Sequence, residues 1–517
     1  MARRFVHAAL AAVAVAATAL TACTGPATGG GEAGTVNVYL YQEPVGVFSP
    51  LAPASGPDLQ VMSMIDEGLL AVDPQYDLKP MLASGYQVSP DAKTFTFTLR
   101  EGLKWSDGTP FSSADVLFTY ERMADKNSGS ATAGNYSNVA GFSAPDESTF
   151  VIEAKTPDIG LLALIGIVNI MPKHVLGEVP VGSLAKHEFF RKPTVGMGPY
   201  TFVDYQTNQY VHVTRNDNYR APASIKDIYL KPLTSDVATA QLGNGGIDIA
   251  SYSPTDAETV NGLDTVESQE IKGAGFVRIG LNQSKPEFAD QRVRQALLHG
   301  VNRKEIVDKV LFGKALVQNS NFYAENTPPG LNDYAYDPPK ARQLLAAAGW
   351  DANRTIVLQW VPGQRDRDAA ATIVQNQLQA IGVKVELKQV QSSQITPSLD
   401  DKSYDMLLYG GGNYAVDSSS VNAITACSLR YPEGANQNFF CDPELDEIMR
   451  QANSTADETQ RKTLYDQAAL RENEQADLMW LYSPFGLWAV NKRIENFQAP
   501  GSQEFPFWAP GTWKVRG

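Results

Sequence analysis

Residues 404–441 hold the segment that most restricts the fold. Met406, Leu407, Leu408 and Tyr409 make an apolar run of β-strand length, and it stops abruptly at Gly410-Gly411-Gly412. Without Cβ atoms, three successive glycines let the chain turn freely and let another group approach the backbone. Polar residues follow: Asn413, Tyr414, Asp417 and Ser418 to Ser420. Open α/β sheets bind ligands where a buried strand delivers its C-terminal end into such a loop. The pattern predicts an α/β chain whose other parts close over this loop.

The surrounding chain alternates helix and strand. Thr355–Trp360 reads as a strand. Asp366–Ile381 reads as an amphipathic helix with Ile373, Leu378 and Ile381 on one side and Gly382 as its stop, and Val383–Leu387 as the next strand. Helices are expected at Leu59–Leu70, Leu445–Ala452 and Lys462–Gln475, with one long helical region over Gln291–Gly313 and a strand at Leu478–Pro484. At 517 residues the chain exceeds a single core, so two to four domains are expected. A net charge of −14 would repel phosphate and excludes nucleic acid as a partner. No G-x-S-x-G, H-E-x-x-H or G-x-x-x-x-G-K-[ST] occurs, and the five histidines are scattered. The chain is expected not to be an enzyme and to need no cofactor or metal.

The N-terminus carries an export signal. Arg3 and Arg4 precede an apolar stretch, Ala8–Leu20, too short to span a bilayer and suited to a signal-peptide core. Leu20-Thr21-Ala22-Cys23 resembles a bacterial lipobox, which implies that Cys23 is lipidated and becomes the mature N-terminus. Thr24–Gly34 is a Gly-rich tether. Loss of Arg3 and Arg4 with the leader takes the net charge from −14 to −16. The expected location is the outer face of the cytoplasmic membrane, or the periplasm, held by lipid rather than by a spanning helix. In that oxidising compartment Cys427 and Cys441 can pair, because no other cysteine competes once Cys23 carries lipid. The 15-residue ring corresponds to roughly 3 kcal/mol of loop-closure entropy.

Lys79–Glu121 is the most distinctive stretch. Phe95, Phe97 and Leu99 alternate on one face of a strand, Asp107-Gly108-Thr109-Pro110 makes a turn, and Ser112 or Ser113 can cap the following helix. The run from Pro80 through Ser89-Pro90-Asp91, Arg100, Gly102, Lys104-Trp105, Asp107-Gly108, Phe111, Asp115-Val116 and Phe118 resembles the extracellular solute-binding proteins of ABC transporters. The likeness is to family 5, the dipeptide-, oligopeptide- and nickel-binding type. Tyr86 stands where that family has Trp. The resemblance continues through Gly196-Met197-Gly198-Pro199-Tyr200, Arg215–Tyr219, Gln241–Ile249, Arg292–Gly313 and Tyr336–Trp350, and it covers residues 36–510. Trp105 and Asp107 read as structural, and His299 as an ordinary helix histidine.

The resemblance implies an α/β periplasmic-binding-protein fold of type II, with two hinged lobes and an extra domain inserted in the first. The corresponding boundaries are a signal peptide at 1–22 and a lipidated linker at 23–35. Lobe I takes 36–70 with 195–275 and 485–517, the insert 71–194, and lobe II 276–484. It further implies a monomer that captures a peptide or peptide-like solute and delivers it to an ABC permease and its ATPase. The alternatives are a non-peptide solute (an oligosaccharide, metal chelate or opine-like compound) and a sensing receptor without transport. Ligand contacts are expected from Tyr41, Gln42, Tyr409, Gly411, Gly412, Asn413, Tyr414 and Asp417. Peptide-binding members hold the α-amino group with an aspartate whose place falls here at or beside Gly412, and Asp417 is the nearest acid. The disulfide between Cys427 and Cys441 would stiffen the cleft rim, as in dipeptide-type members.

Overall fold

The computed structural model describes residues 34–516 apart from 53, 131, 273–274, 323–326, 363, 392–393, 413–417, 433 and 502–504. Among these, three sheets organise the chain. The first has seven strands in the order 266–271, 486–491, 249–251, 35–40, 227–232, 210–215, 200–206. The strand Thr35–Leu40 lies parallel to Asp227–Pro232 and Ile249–Ser251, and the other pairs are antiparallel. Period-two alternation divides its side chains between two cores. Val36, Val38 and Leu40 pack with Val61, Met62 and Ile65 of the helix Gly56–Ile65. Tyr39, on the opposite face, packs with Ala238 and Leu242 of the helix Ser235–Asn244.

The second sheet has six strands in the order 315–317, 478–484, 275–281, 406–412, 355–360, 384–389. Val277, Ile279, Leu281, Met406 and Leu408 face a core completed by the helices Gln291–Gly300 and Arg365–Ala380. The third sheet, four antiparallel strands between residues 83 and 154, buries Phe95, Phe97 and Phe150 against Val116, Tyr120 and Met123 of the helix Ser113–Ala124. Ser112 caps that helix and Asp115 returns the bond, so both ends of the capping box are closed. Trp105 is wholly buried in this core, and Asp107 is held by the Thr109 amide and His174. The fold is the two-lobed α/β architecture with an inserted domain that the sequence implies.

Two helical expectations change. The helix expected over Leu59–Leu70 ends at Ile65. The Ile65 carbonyl accepts the Gly198 amide, and Leu70 enters a short hairpin with Pro80. A Cβ on Gly198 would lie 2.4 Å from the Met64 carbonyl oxygen, so only glycine lets the 196–198 turn dock on the helix end. The region Gln291–Gly313 is two helices, Gln291–Gly300 and Arg303–Val310. The break comes where Val301 turns extended and the Asn302 side chain accepts the Glu305 amide, capping the second helix.

Candidate functional site

Two strands of the first sheet run on into the second. Val266–Ile271 leads to Gly275–Leu281, and Leu478–Pro484 leads through Phe485 to Gly486–Asn491. The two crossings pair with each other on both sides of the junction, Ile271 opposite Gly486 and Val277 opposite Tyr482. The Lys314–Glu270 ion pair and the Phe485 amide to the Lys314 carbonyl (3.0 Å) span the same place. A paired two-stranded connection of this kind permits bending of one lobe against the other while keeping register. The strand Met406–Gly412 lies beside it, with Gly412 opposite Gly275, so the three glycines end at the hinge.

Of Gly410 and Gly411, the first is required by a close approach. A Cβ on Gly410 would meet the Phe276 carbonyl at 2.6 Å and the Arg367 guanidinium at 2.9 Å. At Gly411 the nearest atoms, in the Phe276 ring, stand 3.4 Å or more away. Tyr409 is half-buried within a cluster of Phe276, Trp480 and Arg278, whose guanidinium lies 4.3–4.8 Å from all three ring centres. Asp477, raised by burial and by the neighbouring Glu472, has this same cation among its opposing charges. Tyr41 and Phe485 pack against one apolar cluster in lobe I, and Gln42 beside Tyr41 is exposed. Tyr41 and Gln42 thus follow a strand of the first sheet, and Tyr409, Gly411 and Gly412 lie on a strand of the second. Asn413, Tyr414, Asp417 and Cys23 lie outside the described residues.

Cys427 and Cys441 are joined, with Cα atoms 4.5 Å apart. Hydrogen bonds inside the ring and to its flanks fix it. Buried Asn436 donates to the Ala426 and Phe440 carbonyls, and the Cys427 amide donates to Asp446. Asn438 is buried against Gly280 of the second sheet.

The segment 419–453 touches the helix Gly160–Ile165 and the residue before it. The Ile159 amide donates to the Asn453 carbonyl at 2.8 Å, and a Cβ on Gly160 would sit 2.7 Å from Ser419 Oγ. Arg365 and Asp236, both exposed, face each other at 3.8 Å between the lobes. Gly160→Leu is therefore expected to prop the lobes apart. It should weaken solute binding by about tenfold or more, raise the radius of gyration of the solute-bound form in small-angle scattering and leave thermal stability nearly unchanged.

A cavity of about 380 Å³ lies between lobe I, the insert and the C-terminal segment. Among the described residues its walls come from parts of 49–81, 123–136, 164–169 and 500–510 and from Tyr219, none of which was expected to be a site residue. Tyr76, Tyr136, Phe505 and Trp508 supply aromatic surface, and Asp66, Glu67 and Asp73 supply carboxylates. Glu67 accepts from both terminal nitrogens of Arg220 and from the Tyr219 hydroxyl. Asp73 accepts the Gln75 and Asp77 amides and faces Lys79 at 3.3 Å. Asp66 has the Met197 amide. Burial, with a smaller contribution from the Glu67 charge, pushes its pKa to about 8 against that amide. One sequence signal marks the spot: Asp66 and Glu67 follow an apolar helix at its C-terminal end, where the helix dipole disfavours negative charge.

The sequence profile of the bacterial extracellular solute-binding proteins, family 5, matches residues 77–428. The chain belongs to this family. It is 29% identical over 491 residues to a Brucella melitensis protein whose assigned name is ABC transporter peptide-binding protein, with 91% of each chain covered. It is 25% identical to the oligopeptide-binding protein AppA of Bacillus subtilis over 90% of this chain and 89% of that one. The solved structure of AppA with a nonapeptide superposes with a TM-score of 0.82 over 94% of this chain and 99% of the other. AgaA of A. tumefaciens R10, solved with agropinic acid, is 22% identical, with a TM-score of 0.78 over 94% and 99% of the two chains. Family 5 members are solute-binding proteins rather than enzymes. Among the described residues no helix is long and apolar enough to cross a membrane, and no cluster of three or more His, Cys, Asp or Glu side chains could hold a metal ion.

Proposed function

We propose that this chain is the substrate-binding lipoprotein of an ABC importer, taking a peptide or peptide-like solute into the interlobe cleft and delivering it to a permease. The observation that carries the reading is the paired crossover between the two sheets, whose flanking parts also touch at Ile159–Asn453 and Arg365–Asp236. Such a molecule signals occupancy by closing: the solute shifts the population by its greater affinity for the closed form. The names of the Brucella and Bacillus relatives support a peptide, and the domain boundaries given above are proposed to follow the hinge. Tyr41, Gln42, Tyr409, Gly411, Gly412, Asn413, Tyr414 and Asp417 are proposed to line the cleft, and the Cys427–Cys441 ring to stiffen its rim.

The lack of any carboxylate among Gly410, Gly411 and Gly412 favours a second reading, a solute without a free α-amine. A thermal-shift panel of di- to pentapeptides, oligosaccharides, Ni²⁺ chelates and opines separates the two. A stabilisation by free peptides that Asp417→Asn abolishes supports Asp417 as the amine anchor. A response to non-peptides alone overturns the peptide reading. Cys23→Ser is expected to move the protein from the membrane fraction to the soluble one, and retention on membranes would remove the lipid anchor.

A further inference from the structure

Two carboxyl groups are buried together beside the crossover strand Leu478–Pro484. Glu472, in the last turn of the helix Glu458–Gln475, and Asp477, between that helix and the strand, are 0% and 1% exposed. They are in hydrogen-bond contact with each other. Two carboxyl groups in such contact need a proton between them, and no other described group donates to Asp477 Oδ2. Glu472 also accepts the Ser320 hydroxyl (2.6 Å), the Asn321 amide (3.1 Å) and the Trp480 indole (3.3 Å). The pair thus carries one proton and one negative charge. Burial, opposed by these donors, holds Glu472 above the usual carboxylate range. Burial and then the Glu472 charge hold Asp477 well above it.

Three buried arginines surround the pair. Arg294 donates to the Phe288, Ala289, Gln475 and Ala476 carbonyls, with Asp290 as an opposing charge. Arg303 donates to the Gln318, Trp480 and Tyr334 carbonyls, with Asp333 as an opposing charge, and the Tyr334 side chain lines the same small cavity as Arg303 and the pair. Arg278 has no carbonyl among its partners. Its one hydrogen bond among the described residues goes to Asn321 Oδ1 at 3.4 Å, its Nε has no acceptor, and it lies against the rings of Phe276, Tyr409 and Trp480. A buried guanidinium so placed depends on a nearby counter-charge, and the pair supplies it. Arg278 also sits where the ladder between Gly275–Leu281 and Leu478–Pro484 shifts register, between Val277 and Arg278. Such a bulge sets the local bend of the strands that join the two sheets.

We propose that Glu472, Asp477 and Arg278 form a proton-operated brace on the crossover, in which the singly protonated pair holds Arg278 and the bulge in place and a second proton, taken up in acid, releases them. The Arg278 charge lowers the proton affinity of the pair. By linkage, a proton added to the pair weakens its hold on Arg278 to the same degree. The second proton comes from solvent and binds the Glu472 carboxylate. The pair stays buried but becomes neutral, and Arg278 and the bulge loosen. Because Glu472 is held above its ordinary 4.5, the change comes in milder acid than for an exposed carboxylate. The brace goes beyond solute binding and works whatever the solute is.

The intact protein, without added solute, is compared with Asp477→Asn and Arg278→Gln. In Asp477→Asn the Glu472 carboxylate keeps its three donors and loses its acidic neighbour, so it stays ionised to lower pH. Infrared difference spectra at about pH 7.5 should show a protonated-carboxyl C=O band in wild type that Asp477→Asn lacks. Hydrogen exchange of the amides in 276–279 and 478–483 is then read at about pH 7.5 and 5, relative to the strand 227–232 of the first sheet, so that the intrinsic pH dependence cancels. Relative to Asp477→Asn, wild type should exchange about three- to tenfold faster at the lower pH and equally at the higher. Arg278→Gln should keep the carboxyl band and lose the pH response. Absence of the band difference, the same pH course in wild type and Asp477→Asn, or a full response in Arg278→Gln would overturn the proposal. Faster exchange in Asp477→Asn by one factor at both pH values would make the pair a packing element alone and overturn it too. If Arg278→Gln does not fold, wild type against Asp477→Asn decides.

Discussion

Replacing Glu67 with alanine is expected to cost about 3–5 kcal/mol of stability, read as a shift in the urea midpoint of the transition that includes lobe I and the insert. The Glu67 side chain is only 5% exposed and holds three groups at once. Both terminal nitrogens of Arg220 and the Tyr219 hydroxyl converge on its two oxygens, and the Ile170 amide takes its backbone carbonyl. Arg220 and Tyr219 follow the strand Tyr210–Arg215 of lobe I, and Ile170 belongs to the core of the insert. Truncation removes the acceptor and leaves a guanidinium facing an apolar junction. Most of the cost is that unmatched charge rather than the lost attraction. Glu67→Gln keeps an acceptor for Tyr219 and should lose less. Equal losses for the two variants would mean that packing rather than charge holds the junction.

The same residues mark where the sequence was legible and where it was not. The strand Thr355–Trp360 and the crossover Leu478–Pro484 were read with their observed limits because apolar runs bounded by polar or Gly/Pro residues leave little freedom. The three aromatic and aliphatic residues of Thr94–Leu99 were placed on their buried face by alternation alone. The helix Gly56–Ile65 was read too long because its stop is a tertiary event, the docking of Gly196–Gly198 some 130 residues away. The break at Asn302 was lost for the opposite reason. Its signal, an Asn with a Glu three residues on, is local but sits inside a continuous apolar period. Tyr409 was expected beside the cleft, and its partners Arg278, Phe276 and Trp480 come from both crossover strands. The cavity was invisible to a strand-end argument. Five separated stretches build it, and Asp66 in its wall shows in the sequence only as an acid at the wrong end of a helix.

Asp66→Asn is expected to stabilise the empty protein at alkaline pH and to do nothing at pH 4. Folding raises the Asp66 pKa from 3.8 to about 8, chiefly by burial. Between these values the folded state holds a proton that the unfolded chain has released, so stability falls as pH rises through this window and levels off above it. Each pH unit is worth at most about 1.4 kcal/mol, and an opening onto the cavity reduces that, which leaves a total of a few kcal/mol. Asparagine does not titrate. The melting temperature of the variant minus that of wild type should therefore be near zero at pH 4 and rise to several degrees by pH 8–9. The other charged groups that face this region are Glu67, paired with Arg220 and Tyr219, and Asp73, paired with Lys79. A difference that does not change with pH would mean that the Asp66 carboxylate is already solvated and ionised.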